Sequence, residues 1–196
     1  MKTPTPARVR AHLRLDDPGV PAAFSSWTID ADRDAVRRIK ATYDADDAIL
    51  PTPQADASAL LALDDPDADP DARRLATTMV EQLRAFFAGR LRVFDVPAAA
   101  WRPTPFRARA WAAIAEIGYG DRLTYGDLAA RLETAPRAVG GACGSNPLPI
   151  VVPCHRVVSA AGSPERYGYG VTAKRWVLDL ETAIDAPGVQ GQLALG

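Results

Sequence analysis

Cysteine and histidine are scarce in this sequence. Its 196 residues include two cysteines, Cys143 and Cys154, and two histidines, His12 and His155. Two cysteines this close together do not build a disulfide framework, so we expect reduced thiols, as in a cytoplasmic protein. So few ligands also exclude a zinc site of cysteine and histidine alone, and we predict no metal site.

Long apolar runs and a strong excess of charge are also missing. No run approaches the roughly 20 apolar residues of a membrane span, and residues 1–17 lack the apolar stretch of a secretory signal. The net charge is −1, which excludes nucleic-acid binding by bulk positive charge alone. We therefore expect a cytoplasmic protein with no membrane partner.

The charge that is present is unevenly distributed. Residues 104–176 contain 9 Lys and Arg against 5 Asp and Glu, which suits a binder with few phosphate contacts, although such an imbalance is common in proteins. Five aspartates lie in the tract 64–71. This tract lacks the glycine and the distal glutamate of a calcium loop, so we predict a solvated acidic loop that caps the next helix.

Hydrophobic spacing predicts a mixed first half of the chain. Apolar residues recur at helical spacing over 70–88, and a second helix is predicted over 32–42. Strands are predicted over 9–15, 23–29 and 91–96, the last because its side chains alternate between apolar and polar.

The second half has clearer helix signals. Thr104 and Thr124 are suited to cap helices over 105–117 and 125–132, because a threonine hydroxyl accepts a hydrogen bond from the first turn. Shorter helices are predicted over 136–144 and 174–181. Two compact helices in series are typical of a helix-turn-helix. The apolar run 150–158 predicts a buried strand interrupted by Pro153.

Cys154 and His155 lie inside that apolar run. Polar side chains are costly there unless they are hydrogen-bonded. One interpretation is a nucleophilic thiol activated by the imidazole; the other is a structural cysteine beside a histidine bonded to the backbone. Neighbouring side chains on a strand point to opposite faces, so pairing would need a bend or a water molecule.

A longer pattern surrounds this pair and resembles the O6-alkylguanine-DNA alkyltransferases, the methylated-DNA–protein-cysteine methyltransferases. The similar segments are Asn146-Pro147-Leu148-Pro149-Ile150-Val151-Val152-Pro153-Cys154-His155-Arg156-Val157-Val158, Thr124-Tyr125-Gly126, Arg137-Ala138-Val139-Gly140-Gly141-Ala142 and Lys174-Arg175-Trp176 with Glu181. The strong similarity covers about residues 104–181.

The resemblance implies a fold and a reaction. The fold is an RNase H-like α/β domain over 1–97, a mainly α domain with a helix-turn-helix and an active-site strand over 104–185, and a tail over 186–196. The reaction is a single, irreversible transfer of an alkyl group from O6-alkylguanine to Cys154, with no cofactor. The partner is double-stranded DNA. The protein acts as a monomer, binds the minor groove and flips the damaged base out of the duplex. O4-alkylthymine is left open as a second substrate.

The resemblance also assigns roles to residues. Cys154 is the nucleophile, activated through His155 and Glu181, while Asn146 is a hinge and Tyr125 donates a proton to the departing guanine. The expected DNA-binding residues are Tyr125, Arg137 as an inserted finger, Ala138, Gly140 and Gly141. The expected pocket residues are Val157, Tyr167, Gly168 and Tyr169.

Two positions depart from the family pattern. Tyr169 stands where relatives have glycine, so its ring either narrows the pocket or stacks on the damaged base. Gly144 and Ser145 stand where many relatives have a basic residue, which predicts weaker DNA binding. Two alternatives are a non-catalytic protein of the same fold that binds alkylated DNA, and a cysteine hydrolase that uses Cys154 and His155.

Overall fold

The first half of the chain forms a four-stranded sheet covered by a long helix. The computed structural model describes residues 8–15, 19–41, 60–100, 102–164 and 166–185. The strands are β1 (Arg8–Arg14), β2 (Ser26–Ala31), β3 (Val36–Ala41) and β4 (Leu60–Ala62), and their order in the sheet is β3-β2-β1-β4. β1 is antiparallel to β2 and parallel to β4, and β2 is antiparallel to β3. The predicted tail over 186–196 lies outside the described residues.

The two strands predicted first are confirmed, whereas the helix predicted over 32–42 is wrong. β2 begins at Ser26 because a 3-10 turn occupies Ala22–Phe24. Most of 32–42 is β3. The Asp32 carboxylate accepts hydrogen bonds from the backbone N–H groups of Asp34 and Ala35, both at 3.1 Å, and this tight turn sends the chain back along β2.

The long helix α1 (Pro70–Phe87) confirms the helix predicted over 70–88. The predicted capping by the acidic tract is also confirmed, because the Asp69 carboxylate accepts hydrogen bonds from the backbone N–H groups of Asp71 and Ala72. Its apolar face packs on the sheet as a first core. The α1 side chains buried there include Leu75, Met79, Leu83 and Phe86.

The strand predicted over 91–96 is wrong. This segment is irregular and is bound to α1 by an amide-to-carboxylate contact: Gln82 donates to the Asp95 carboxylate, and the Asp95 backbone N–H donates to Gln82 Oε1 at 3.2 Å. Phe94 packs against Phe86, with ring centroids 5.6 Å apart. Val93, an apolar member of the alternating pattern, is 76% exposed, so the apolar side chains of this segment do not share one buried face as they would in a strand.

Three helices build a second core in the other half of the chain. They are α2 (Pro105–Ala115), α3 (Tyr125–Arg131) and α4 (Pro136–Gly144), close to the predicted bounds. The Thr104 and Thr124 hydroxyls cap α2 and α3 as predicted. The Trp111 Nε1–H group donates to the Ala142 carbonyl at 2.9 Å and joins α2 to α4.

The strand predicted over 150–158 is wrong for most of its length. Cys154–Arg156 is a 3-10 turn. The strand that does form, β6 (Val157–Val158), pairs parallel to β5 (Leu123–Thr124). Pro153 has no N–H to donate to a strand, and its carbonyl instead accepts from the Arg156 N–H at 2.9 Å. Ile150 has φ 73°, a strained backbone conformation for a β-branched residue.

The last helix joins the two halves. Helix α5 (Val171–Asp185) begins earlier and ends later than the predicted 174–181. Its Ala173 and Val177 side chains belong to the first core, which contains the sheet. A hydrogen bond outside this helix also joins the two halves, because the Ile39 N–H of β3 donates to the Pro147 carbonyl at 2.8 Å.

Of the helices in the described ranges, none has both the length and the apolar character of a membrane span.

Candidate active site and nucleic-acid interface

Cys154 opens the 3-10 turn at the edge of the second core. Its side chain is 5% exposed, and its Sγ accepts a hydrogen bond from Asn146 Nδ2 at 3.3 Å. Burial raises the pKa of the thiol, and the Asn146 hydrogen bond and the Lys174 charge offset only part of that rise. The resting thiol is therefore protonated and needs a proton acceptor to become a nucleophile.

Asn146 connects the end of α4 to the cysteine segment. Its Nδ2 group also donates to the Val152 carbonyl at 2.8 Å, and its Oδ1 atom accepts from the Leu148 N–H at 2.9 Å. Its own N–H donates to the Cys143 carbonyl at 3.2 Å. These bonds fix the segment before the thiol relative to α4.

His155 is fully buried and bonded to Glu181, which lies 26 residues later on α5. The His155 Nε2 atom is 2.9 Å from Glu181 Oε1. The Nδ1 atom is buried and has no hydrogen-bond partner among the described residues. Burial lowers the pKa of His155 more than the Glu181 hydrogen bond raises it, so the ring is neutral at pH 7.

This geometry assigns the tautomer of His155. Burial alone would raise the pKa of Glu181, but hydrogen bonds from His155 and Arg156 lower it to about 2. The carboxylate is therefore ionised and accepts a proton-bearing Nε2, which leaves a lone pair on Nδ1. A neutral imidazole with a buried, unused acceptor atom lies next in sequence to the thiol.

Two buried cations at this site had no role assigned from the sequence. Arg156 donates to both oxygens of Glu181, at 3.1 Å from Nε, and to the Ile117 carbonyl at 2.5 Å. Lys174 is 0% exposed, and its Nζ donates to the Val157 carbonyl at 2.6 Å. The sequence did contain a signal for both residues: Arg156 lies inside an apolar run, and Lys174 lies on the apolar face of a helix. Because buried cations require partners, both positions indicated buried hydrogen bonds.

The expected DNA-binding residues are grouped on α3 and α4. Tyr125 begins α3, and its ring lies 5.6 Å from Lys174 Nζ. Arg137 is exposed in the first turn of α4. A Cβ built on Gly140 or Gly141 would meet no described atom within 4 Å outside the helix's own backbone. Internal packing therefore does not require glycine at these two positions.

A groove lies along this face of α4. Its volume is about 340 Å³, and it is lined by Thr104, Phe106, Arg107, Ala138, Gly141 and Ala142. Neither Cys154 nor His155 lines it, so this groove is not the candidate catalytic pocket. Its position beside α4 instead makes it continuous with the expected nucleic-acid surface.

The expected pocket residues lie on the turn before α5 and on β6. The Gly170 N–H donates to the Tyr167 carbonyl at 3.0 Å, which closes a turn through Gly168 and Tyr169. The Tyr167 hydroxyl is buried, with no hydrogen-bond partner in the described ranges, and burial raises its pKa well above the ordinary value. Val157 is fully buried in the second core, to which Cys154 also belongs.

Sequence comparisons give the same family for the second half of the chain. The model of the 6-O-methylguanine DNA methyltransferase DNA-binding domain matches residues 105–183. The methylated-DNA–protein-cysteine methyltransferase of Mycobacterium tuberculosis is 47% identical over 104 residues, which are 52% of this chain and 62% of that protein. The Methanosarcina mazei protein of the same name is 44% identical over 102 residues, 51% of this chain and 64% of its own length. These alignments span less than two thirds of the curated relatives.

Structural comparisons extend the likeness to both halves. The structure of Mycobacterium tuberculosis OGT in complex with DNA superimposes with a TM-score of 0.67 at 30% identity, and covers 90% of this chain and 93% of that one. The M. tuberculosis O6-methylguanine methyltransferase also gives 0.67, at 31% identity over 91% and 96% of the two chains. A Methanococcus jannaschii methyltransferase at 21% identity, with a TM-score of 0.54, shares the fold. Because the likeness to the mycobacterial proteins covers more than nine tenths of their length, this chain belongs to the family of O6-methylguanine-DNA methyltransferases.

Proposed function

We propose that this chain repairs DNA by moving an alkyl group from O6 of guanine to Sγ of Cys154. The observation that carries the proposal is the neutral His155 ring, whose Nε2 is bonded to Glu181 and whose buried Nδ1 is left as an acceptor. Nδ1 takes the thiol proton, directly or through one water, and the resulting thiolate is the reactive form of cysteine.

The transfer is balanced in atoms and charge. The thiolate attacks the alkyl carbon, so a carbon–sulfur bond forms while the bond between that carbon and O6 breaks. The departing guanine takes a proton from the Tyr125 hydroxyl. The Lys174 ammonium, 5.6 Å from the Tyr125 ring, stabilises the phenolate that remains. The thioether is not a leaving group, so each protein molecule reacts once and needs no cofactor.

Access to a paired base requires that it leave the helical stack, which costs a few kcal/mol. In this proposal α3 and α4 act as a helix-turn-helix, with α4 in the minor groove. The open glycine positions of α4 allow the DNA to approach the helix closely. The exposed Arg137 enters the stack in place of the base, a device used by other minor-groove proteins with other side chains.

The proposal also covers the domains of the chain, its compartment and its second cysteine. We infer an RNase H-like domain over 1–97, a catalytic domain over 104–185, and action as a monomer on double-stranded DNA. Both cysteines are free thiols, which is compatible with the reducing cytoplasm. Cys143 lies at the end of α4 and packs against the second core, and so we assign it a structural role rather than the transfer.

The mass of the intact protein tests the proposal. The protein is mixed with a duplex that contains one O6-methylguanine, and peptide mapping follows. We expect one added CH2 unit per protein, on Cys154, with no further turnover in excess DNA. The Cys154→Ala variant is expected to gain no mass while still binding the lesion.

The alternatives give other results. A lesion-selective gel shift without a mass change would favour the non-catalytic damage-binding protein. The presence of the Cys154 thiol argues against that alternative. Methylation of the Cys154→Ala variant would place the nucleophile elsewhere and overturn the proposal.

A further inference from the structure

The turn 167–170 is bound to the N-terminal sheet by aromatic contacts. The Tyr169 ring centroid lies 6.0 Å from that of Trp27 on β2 and 6.0 Å from that of Phe24 in the 3-10 turn before β2. It also lies 5.5 Å from the Tyr167 ring in an edge-on arrangement. Phe24 and Trp27 are fully buried and stack on each other. The ring of Tyr169 therefore contacts the first core.

These distances fall in the range where aromatic pairs attract each other beyond the area that they bury. Three such contacts converge on Tyr169, the residue at which this chain departs from the glycine of the family pattern. A glycine at this position has no ring, so Tyr167 would be left as the only aromatic side chain of the turn. The departure therefore adds a connection between the turn and the sheet.

Tyr167 carries that connection toward the reacting sulfur. Its ring is partly buried and packs against both cores, and the second core includes Cys154. On the other side it lies 6.4 Å from the Phe24 ring. Movement of Tyr169 away from the sheet would release Tyr167 as well, because the Gly170-to-Tyr167 hydrogen bond makes the two residues parts of one turn.

We propose that Tyr169 is a positioning residue that fastens the substrate-binding turn to the N-terminal sheet through Phe24 and Trp27. The turn is thereby held in the shape that receives the extruded base, and the N-terminal half of the chain contributes to substrate binding without touching the substrate. This inference rests on the proposed alkyl transfer. It replaces the two expectations from the sequence, in which the ring of Tyr169 narrows the pocket or stacks on the damaged base.

Single-turnover kinetics separate these roles. The rate of Cys154 alkylation is measured against the concentration of a duplex containing O6-methylguanine, and separately of free O6-benzylguanine, which is bulkier. For Tyr169→Leu we expect a half-saturating concentration raised about tenfold with both substrates, the size that the loss of several ring contacts would give. The limiting rate constant remains near that of the wild type, because the thiol, His155 and Glu181 are untouched.

Two further variants serve as controls. Tyr169→Phe keeps the ring, and we expect a smaller rise in the half-saturating concentration than in Tyr169→Leu. Phe24→Leu removes the partner ring, and combining it with Tyr169→Leu is expected to raise the half-saturating concentration by less than the product of the two single effects. Thermal unfolding of each variant establishes a temperature at which all are folded.

Hydrogen exchange gives a readout that does not depend on transfer. The Gly170 amide, which donates to the Tyr167 carbonyl, is expected to exchange faster in Tyr169→Leu and in Phe24→Leu, and to change less in Tyr169→Phe, which keeps the ring. Unchanged exchange in Tyr169→Leu would overturn the inference even if the wild type transfers methyl groups normally. A wild type that never alkylates Cys154 would instead refute the proposed function, while exchange would still test the connection.

One kinetic result would also overturn the inference. If Tyr169→Leu reacts faster with O6-benzylguanine and at an unchanged rate with the methylated duplex, the ring restricts the size of the adduct and does not position the turn.

Discussion

Helices α1 and α5 both bury one face, but with different chemistry. The buried face of α1 is apolar and includes Leu75, Met79 and Leu83. The buried face of α5 includes Lys174 and Glu181, which contact the segment from Cys154 to Val157 through charged hydrogen bonds. An apolar face is stabilised by area and shape, whereas a charged face is stable only when every buried group has a partner. The α1 interface therefore depends on the volume of its apolar side chains, and the α5 interface depends on particular charged partners.

The largest expected effect comes from one substitution on each helix. Glu181→Gln leaves the Arg156 guanidinium buried without its counter-charge, and we expect a loss of about 3–5 kcal/mol in the free energy of unfolding. Leu83→Ala leaves a cavity and costs a similar amount, about 2–5 kcal/mol. Urea unfolding measures both losses.

Reactivity distinguishes these two variants. At a temperature where both are folded, only Glu181→Gln is expected to slow methyl transfer, because only this variant disturbs the tautomer of His155. Equal transfer rates in the two variants would contradict the role of the α5 charges in catalysis.

Acid is expected to weaken the α5 interface more than the α1 interface. The pKa of Glu181 is lowered from 4.5 to about 2 in the folded chain, so the unfolded chain binds its proton first. The stability that this carboxylate contributes is complete above pH 4.5 and is lost as the pH falls toward about 2.

The pH dependence is measured by urea unfolding between these limits. Leu83→Ala is expected to keep the wild-type slope, while Glu181→Gln flattens it because the titrating group is gone. The pKa of His155 is also lowered from its ordinary value of 6.5. The stability that neutral His155 contributes therefore begins to be lost as the pH falls below 6.5, in all three proteins. A wild-type slope in Glu181→Gln would assign the titration to another group.

Arg137→Ala tests whether the exposed face of α4 serves DNA and not folding. We expect repair of O6-methylguanine in a duplex to slow about tenfold, or about 1.4 kcal/mol, which is part of the cost of base flipping. Reaction with free O6-methylguanine is expected to remain unchanged, as is the melting temperature. Arg175→Ala removes the same charge from an exposed position of α5 and serves as the control. Equal slowing with duplex and free base would exclude the finger role.

The smallest expected effect is that of Gly141→Ala. An added Cβ meets no described atom outside the helix backbone, and alanine is favoured over glycine within a helix by about 0.5–1 kcal/mol. We therefore expect a small gain in the free energy of unfolding together with weaker binding to duplex DNA. A loss of stability would show that glycine at this position serves internal packing.

Much of the helical structure was predictable from the sequence. Helices α1, α2 and α3 are capped by the side chains of Asp69, Thr104 and Thr124. Helix α4 has no side-chain cap and begins at Pro136. The strand β3 was missed because its turn depends on one side chain, Asp32, whose acceptor role has no periodic signal. The strand predicted over 91–96 was wrong for the opposite reason: its alternating pattern is a periodic signal, but Val93 is exposed and the segment is held by side-chain contacts with α1.

The candidate site was predictable only in part. The motif around Cys154 named the thiol, the imidazole and the carboxylate through a family resemblance, and the structure brings His155 and Glu181 within hydrogen-bond distance. The partners of Arg156 and Lys174 were not assigned, because a buried charge in a sequence shows that a partner exists without showing which one. The contacts of Tyr169 with Phe24 and Trp27 span more than 140 positions of the chain and have no local signal.

The sequence by itself determined the capped helices, the small residues of α4 and the order of the residues around the thiol, because these features depend on neighbours within one or two helical turns. Only the tertiary structure decided that Cys154 opens a 3-10 turn, that the acceptor atom of His155 is Nδ1, and that Tyr169 contacts the N-terminal sheet. These features depend on packing between segments far apart in the chain, where shape and the need to pair buried charges select the contacts.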